Sequence, residues 1–410
     1  MAPPSFSGKG VGGLGSGRKF LAQGTFSNHE REYSKLNTRG AKLGVFFLAS
    51  DLGPTGPARQ LGLLAAGLCR NRFEAKVGVV GPANTPVAAD LCRAGVPVSP
   101  LPVRHLIDVR GIRKLRQTVT AANPAVIHAW GPRACRATRL LTPAVGGRGP
   151  QVVVSAATGS EGGFYDWLTA LRLRCADRVI PSSWMEGERY RRLGVTAERL
   201  TRISPAAPPS LPSPHRETFL QELGLPSTAR LVMTADRLES SAGLQAAVWA
   251  FDMLRYDFPD LYLLIFGSGP DRAGIEAFGR ALAFDDFRIR FPGCRPDLPA
   301  LLGLAEVVWV TRARGGVTLA LEAMAGGRPV IGWKTPDLTE IVEDGVTGFL
   351  VDAKERPLVS ARTHRLLCDP DLGNALGATG RARVAEWFGV ERMIEQFSRV
   401  YEDLAEACSL

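Results

Sequence analysis

The chain has 410 residues, 45% of them apolar and 22% charged, with a net charge of +10. That length exceeds one ordinary hydrophobic core, so two domains of roughly 150–200 residues are expected in a soluble globular protein. No stretch approaches the roughly 18–20 uninterrupted apolar residues of a membrane helix, and the N-terminus lacks the apolar core of a secretory leader. The seven cysteines (69, 92, 135, 175, 294, 368, 408) never form a C-x-x-C pair, which suits a reducing, cytoplasmic setting and argues against a disulfide framework or a zinc site. The basic surplus attracts anions in general. Without interleaved aromatics or a nucleic-acid motif it gives no case for DNA or RNA.

Residues 1–40 are rich in Gly and Ser with no hydrophobic period and are expected to be a disordered basic tail. Gly10 to Gly15, "GVGGLG", fits G-x-G-x-x-G by composition alone, since no strand precedes it. Order begins at "KLGVFFLAS". Short apolar runs ("EAKVGVVG", "AVIHAW", "QVVVSAA") alternate with helical segments across 41–203, the pattern of βαβ units around a buried parallel sheet. The proline-dense "SPAAPPSLPSPH" opens a linker placed at 204–228. Alternation then restarts across 229–385, through "RLVMTA", "LYLLIFG", "FRIRFPG", "EVVWVT" and "PVIGW". A terminal helix over 386–410 repeats apolar residues at Met393, Phe397, Val400, Tyr401 and Leu404, one face that packs on a domain. The fold class is therefore α/β: two Rossmann-like doubly wound domains facing an interdomain cleft, lined by the loops that follow strands.

Three such loops in the second domain carry suitable chemistry. After "EVVWVT", Gly315 and Gly316 permit close backbone approach and open a helix from Val317, whose free N–H groups suit a phosphate. Glu322 lies past the first turn, on one face with Thr318, where a carboxylate can accept from two vicinal hydroxyls such as a ribose diol. After "RLVMTA", Arg237 is placed to reach a diphosphate. After "LYLLIF", Gly267 and Gly269 mark another strand end. In the first domain, His128 stands near the end of "AVIHAW" and is a cleft candidate, although a packed, satisfied histidine is the competing reading. Gly348, in "GVTGFLV", is read as serving a tight turn.

From "RLVMTADRLESSAG" through "LLIFGSGPDRAGIEAF", "FPGCRPDLPALLGLAEVVWV" and "LALEAMAGGRPVIGW" to "LTEIVEDGVTGFLV", the sequence resembles the retaining glycosyltransferases of family 4, on the GT-B fold. "TGPARQLGLLAAGL", "NPAVIHAWG" and "DRVIPSSWMEGERYRRLGV" resemble their acceptor domain, so the likeness spans about residues 42–405. The resemblance implies a nucleotide-diphosphate-sugar donor, no cofactor and no obligatory metal. It implies Glu322 on the donor ribose, as the second Glu of an E-x7-E motif, and Arg237 on the diphosphate. Gly56 corresponds to a glycine of the loop facing the donor.

Four departures accompany the likeness. Arg314 stands where the first Glu of E-x7-E is expected on the transferred sugar, and Ala242 where a lysine partners the diphosphate arginine. Ala157 takes the place of a histidine near the reacting centre, and the N-terminal loop reads Thr55-Gly56-Pro57-Ala58-Arg59. Arg314, just before the glycine-opened helix, is positioned to replace the missing lysine on the diphosphate. Two readings stay open on these residues: a transferase acting on a saccharide or lipid-linked acceptor, or a catalytically inactive clamp that binds nucleotide sugars or a partner. The basic N-terminal half adds the expectation of peripheral contact with anionic lipid at the inner face of the membrane.

Overall fold

The computed structural model describes residues 42–53, 55–101, 108–141, 149–156, 164–208, 212–283 and 288–409. The tail with Gly10 to Gly15 lies outside the described residues, as does Ala157.

The apolar runs form strands, and the central ones are buried on both faces, as in parallel sheets covered by helices. In the first half these are β1 (Leu43–Ala49), β2 (Phe73–Val79), β3 (Val98–Pro100), β4 (Val126–Trp130), β5 (Gln151–Ser155) and β6 (Arg178–Ile180), in the order β3-β2-β1-β4-β5-β6. In the second they are β7 (Arg230–Ala235), β8 (Leu261–Phe266), β9 (Ile289–Gly293), β10 (Val307–Val310), β11 (Val330–Trp333) and β12 (Gly348–Val351), in the order β12-β11-β10-β7-β8-β9. All pairings within the two sheets are parallel, with β1 aligned Leu43 to Phe73 on β2 and Val45 to Val126 on β4. This is the expected architecture of two doubly wound sheets.

Helix starts follow short-range chemistry. Thr85, Thr335 and Asp369 each precede a proline at the first helical position, and their side chains accept from Ala88 N, Leu338 N and Leu372 N. Asn123 ends the helix Val109–Ala122 in the left-handed region, where its short amide side chain is tolerated. The first helix begins at Gly56, so the Gly-Pro pair read as loop lies inside its first turn. The linker segment carries a short helix of its own, Arg216–Glu222.

The C-terminal helix, Val390–Ser409, returns to the first half. Its Met393, Phe397, Val400, Tyr401 and Leu404 join the core formed by Phe47, Leu61, Leu64, Phe73 and Trp130. In each sheet the winding direction reverses between two neighbouring strands, β1 and β4 in the first and β7 and β10 in the second. The loops after these strands define the crevice where such folds take ligands.

Candidate functional site

In the second half the two switch-point loops are fitted backbone to backbone. Gly243 adopts φ 70°, and a Cβ there would lie 2.2 Å from Thr311 O. Thr311 Oγ1 in turn donates to Ala242 O at 3.1 Å. Arg312 adds a charged tie, donating from Nη1 to Asp236 Oδ1 at 3.1 Å and from Nη2 to Glu239 Oε1 at 2.6 Å. Burial pushes the Asp236 carboxyl up to about 6, against the pull of Arg312. Arg237 projects from the same loop, largely exposed, with its Nε 3.3 Å from Glu239 Oε2.

Beyond Arg312 the chain turns through Gly315 and Gly316, at φ 77° and 78°. Both lie in the left-handed region that favours glycine. The helix Val317–Ala325 follows, with Leu319 to Ala325 all buried. Glu322 is its one charged residue and is 4% exposed. Burial raises the pKa of its carboxyl, opposed by the Arg59 guanidinium beside it.

Arg59 comes from the other half. Its Nη2 donates to Glu322 Oε2 at 2.8 Å, and its Nε lies 2.8 Å from Oε1. The Nε contact is coulombic, because its geometry misses that of a hydrogen bond. Arg59 sits in the first turn of the helix Gly56–Gly67. The same helix touches the second half at Gly56, where a Cβ would stand 2.8 Å from Thr318 Oγ1. One residue beyond Arg59, Gln60 exchanges hydrogen bonds of 2.7 and 2.8 Å with the backbone of Ala206. Two helix N-termini, one from each half, therefore meet beside a buried carboxylate.

A second crossing lies next to it. Asp337 accepts from Gly315 N at 3.1 Å and from Ser183 Oγ at 2.6 Å. Glu340 accepts from Trp184 N at 2.7 Å and Arg202 Nη1 at 3.0 Å.

Residues 55–206 match the family model described as glycosyl transferase 4-like domain, and residues 215–383 match glycosyl transferases group 1. Both halves indicate a GT-B glycosyltransferase. A D-inositol 3-phosphate glycosyltransferase of Salinispora tropica is 34% identical over 45% of this chain and 41% of its own. An N-acetyl-alpha-D-glucosaminyl L-malate synthase of Bacillus anthracis is 26% identical over 45% of this chain and 48% of its own. The chain thus spans about half the length of the curated relatives it matches. Among solved structures, Anabaena Alr3699/HepE in complex with UDP-glucose superposes with a TM-score of 0.76 at 19% identity, covering 88% of this chain and 100% of that one. At that identity the likeness shows the fold.

The GT-B cleft gathers some of the residues singled out in the sequence. Gly56, Gly315, Val317, Thr318 and Glu322 fall at the junction of the two helix N-termini, and Arg237 stands on a switch-point loop. Gly316 is the N-cap of the second helix. Arg314 is exposed and has no ion-pair partner among the described residues.

Other expectations need correction. His128, a cleft candidate, instead follows the packed, satisfied reading and does not face the cleft. It is fully buried, its Nδ1 2.7 Å from Tyr401 Oη and its Nε2 2.8 Å from Ser155 Oγ. Burial lowers its pKa to about 3, so it is a neutral core residue. Gly267 and Gly269 answer a packing demand, since a Cβ on either would come within 1.9 Å of Asp236 O or 2.2 Å of Leu238 O. Gly348 does not make the turn. It lies flush against β11, where a Cβ would stand 2.2 Å from Val330 O, and the left-handed glycine is Gly345. Ala242, read as the site of a lost lysine, is fully buried against the neighbouring loop.

Arg59, Arg312 and Asp337 were not read as site residues in the sequence. Arg59 follows Gly56 by three positions, hence one helical turn, which places it at the same helix end. Asp337 follows "Thr-Pro", a helix-start signal directly after a strand. Among the described residues no group of three or more His, Cys, Asp or Glu side chains is placed to hold a metal ion.

Proposed function

We propose that this protein transfers a sugar, with retention, from a nucleotide-diphosphate-sugar to an acceptor held by the N-terminal half. One observation carries the reading: two glycine-opened helix N-termini meet across the cleft, one turn from the buried carboxylate of Glu322. Helix N-termini favour a diphosphate, and a carboxylate one turn in suits the paired hydroxyls of a ribose. Arg237 and Arg314 supply cations on the same side of the crevice. Their task is to stabilise charge developing on the leaving diphosphate, the largest single electrostatic demand in such a transfer. No side chain is assigned as nucleophile among the described residues, in keeping with a front-face route in which the donor's own phosphate accepts the acceptor's proton. HepE was solved with UDP-glucose, which supports UDP-sugars as the first donors to test. The named relatives are a synthase and a glycosyltransferase, which favours catalysis over a binding-only clamp.

Calorimetric titration with UDP and GDP tests the site. Wild type is expected to bind one of them in the micromolar range. Glu322→Ala should weaken that binding roughly 10- to 100-fold, the cost of about 1.5–3 kcal/mol for a hydrogen bond to a charged group. Absence of binding to either nucleotide would return the glycine-opened helix to a fold element.

The acceptor half also presents a basic face. The helix Val109–Ala122 carries Arg110, Arg113, Lys114 and Arg116, all exposed, and no acidic residue. We propose contact with anionic lipid, as suits a lipid-linked acceptor; no helix among the described residues is long and apolar enough to cross a membrane. Flotation with liposomes containing anionic lipid at low salt should recover the protein, and salt should release it. Recovery equal to that with neutral liposomes would count against the contact.

A further inference from the structure

Both groups assigned to the donor are already engaged, and each by a protein group of the matching chemical kind. Glu322, assigned to a pair of hydroxyl donors, receives the Nη2 donor and the Nε charge of Arg59. Gly315 N, assigned to phosphate, donates to the Asp337 carboxylate, itself an anion at a helix entrance. The first engagement crosses the cleft, and the second lies within the second half but is tied to the first half through Asp337. Arg59 belongs to the first half and grips the second. Asp337 belongs to the second half and is held from the first by Ser183 Oγ at 2.6 Å. Between them Gly56 and Thr318 stand so close that a single added Cβ would be 2.8 Å from a hydroxyl.

We infer that Arg59 and Asp337 form a ligand-mimicking latch: in the nucleotide-free protein they occupy the ribose and phosphate positions, hold the cleft shut, and are displaced when a nucleoside diphosphate binds. The inference rests on the donor assignment above and adds the state from which the donor must enter. A carboxylate buried to the degree of Glu322 is costly unless paired. Arg59 meets that need with a cation and a hydrogen bond when no ligand is bound, and the ribose hydroxyls meet it with hydrogen bonds alone, so the carboxylate keeps donors in either state. Asp337 does the same for Gly315 N. A protein resting mostly closed binds its ligand with an affinity reduced by the fraction that is open.

The latch and the donor assignment predict opposite signs at neighbouring residues, so they fail separately. UDP and GDP affinity of the full chain would be measured by calorimetry for wild type, Arg59→Ala, Asp337→Asn and Ser183→Ala, with the radius of gyration from small-angle scattering without nucleotide. Circular dichroism would confirm that each variant is folded. Arg59→Ala is expected to bind nucleotide about tenfold tighter than wild type and to be larger when free. Asp337→Asn and Ser183→Ala should shift both readouts the same way by less, and nucleotide should enlarge or rearrange the wild-type particle. Equal or weaker binding by Arg59→Ala, with an unchanged radius, overturns the latch while leaving the donor site standing. Expansion of the variants with no nucleotide bound by any of them supports the closed cleft and overturns the donor assignment. Neither expansion nor binding overturns both.

Discussion

The two sheets share one strand order, yet their central strands serve different ends. In the first, β4 carries His128, locked between Ser155 on β5 and Tyr401 of the C-terminal helix, within a cluster that includes Phe47, Trp130 and Phe397. In the second, β7 and β10 end in loops bearing Asp236, Arg237, Glu239, Arg312 and Arg314, where charge stands at partly open positions. Both ring nitrogens of His128 on β4 are satisfied inside the first half, whereas after β10 Arg312 pairs with the neighbouring loop and Glu322 pairs with Arg59 of the other half. The same topology thus yields a sealed aromatic core in one half and a chargeable crevice in the other. What distinguishes them is where the polar atoms find partners.

Three substitutions sharpen that contrast. The largest effect is expected at Gly243, where the two switch-point loops of the second half touch. Gly243→Ala puts a Cβ 2.2 Å from the carbonyl oxygen of Thr311. A backbone atom cannot rotate away as a side chain does, so a loss of about 3 kcal/mol is expected, at the upper end for overpacking. Urea unfolding measures it, and nucleotide binding should fall with it. A loss below about 1 kcal/mol would mean that the loops slide past one another easily.

The sealed half should reveal itself through pH. Burial lowers His128 to about 3 in the folded state, against about 6.5 in the unfolded chain. Between those values the unfolded state binds a proton that the folded state does not, so stability rises with pH and is lost as pH falls below about 6.5. From pH 7 to pH 5 that loss amounts to about 2 kcal/mol. His128→Gln removes the titrating group, so the variant's stability, whatever its value at pH 7, should change less over this interval than wild type's. Parallel stability curves would show that His128 is not what makes the first half acid-sensitive.

These two halves were unequally legible in the sequence. The alternation of strands and helices, the glycine-opened helix and the placement of Glu322 follow from period, punctuation and a lone acidic residue in an apolar run. His128 was harder, because a histidine near a strand end reads the same whether it faces a cleft or a neighbouring helix. Only Tyr401, 273 positions away, decides between them. Arg59 was lost for a related reason: within "TGPAR" it looks like the remnant of a weakened motif, and its partner Glu322 is 263 residues distant. Long-range pairing of charges leaves no local period to read. Gly267 and Gly269 show the reverse error, since glycine permits close approach without saying whether ligand or backbone approaches.

Arg312 tests the open half most finely. Its guanidinium is partly exposed and ties Asp236 and Glu239, so its loss should cost only about 1 kcal/mol after screening. The informative quantity is the pH dependence of that cost. Burial already lifts Asp236 to about 6, and Arg312 is the charge that opposes the lift. Removing it moves the Asp236 carboxyl higher still. A carboxyl raised on folding holds a proton that the unfolded chain has released, so its contribution is present below about 3.9 and is lost as pH rises toward the folded value. Arg312→Ala extends this loss to higher pH, opposite in sense to the effect of His128. The variant's deficit in urea unfolding should therefore be larger at pH 7.5 than at pH 5. Equal deficits at the two pH values would mean that Arg312 holds the loops together by contact alone and leaves the charge of Asp236 untouched.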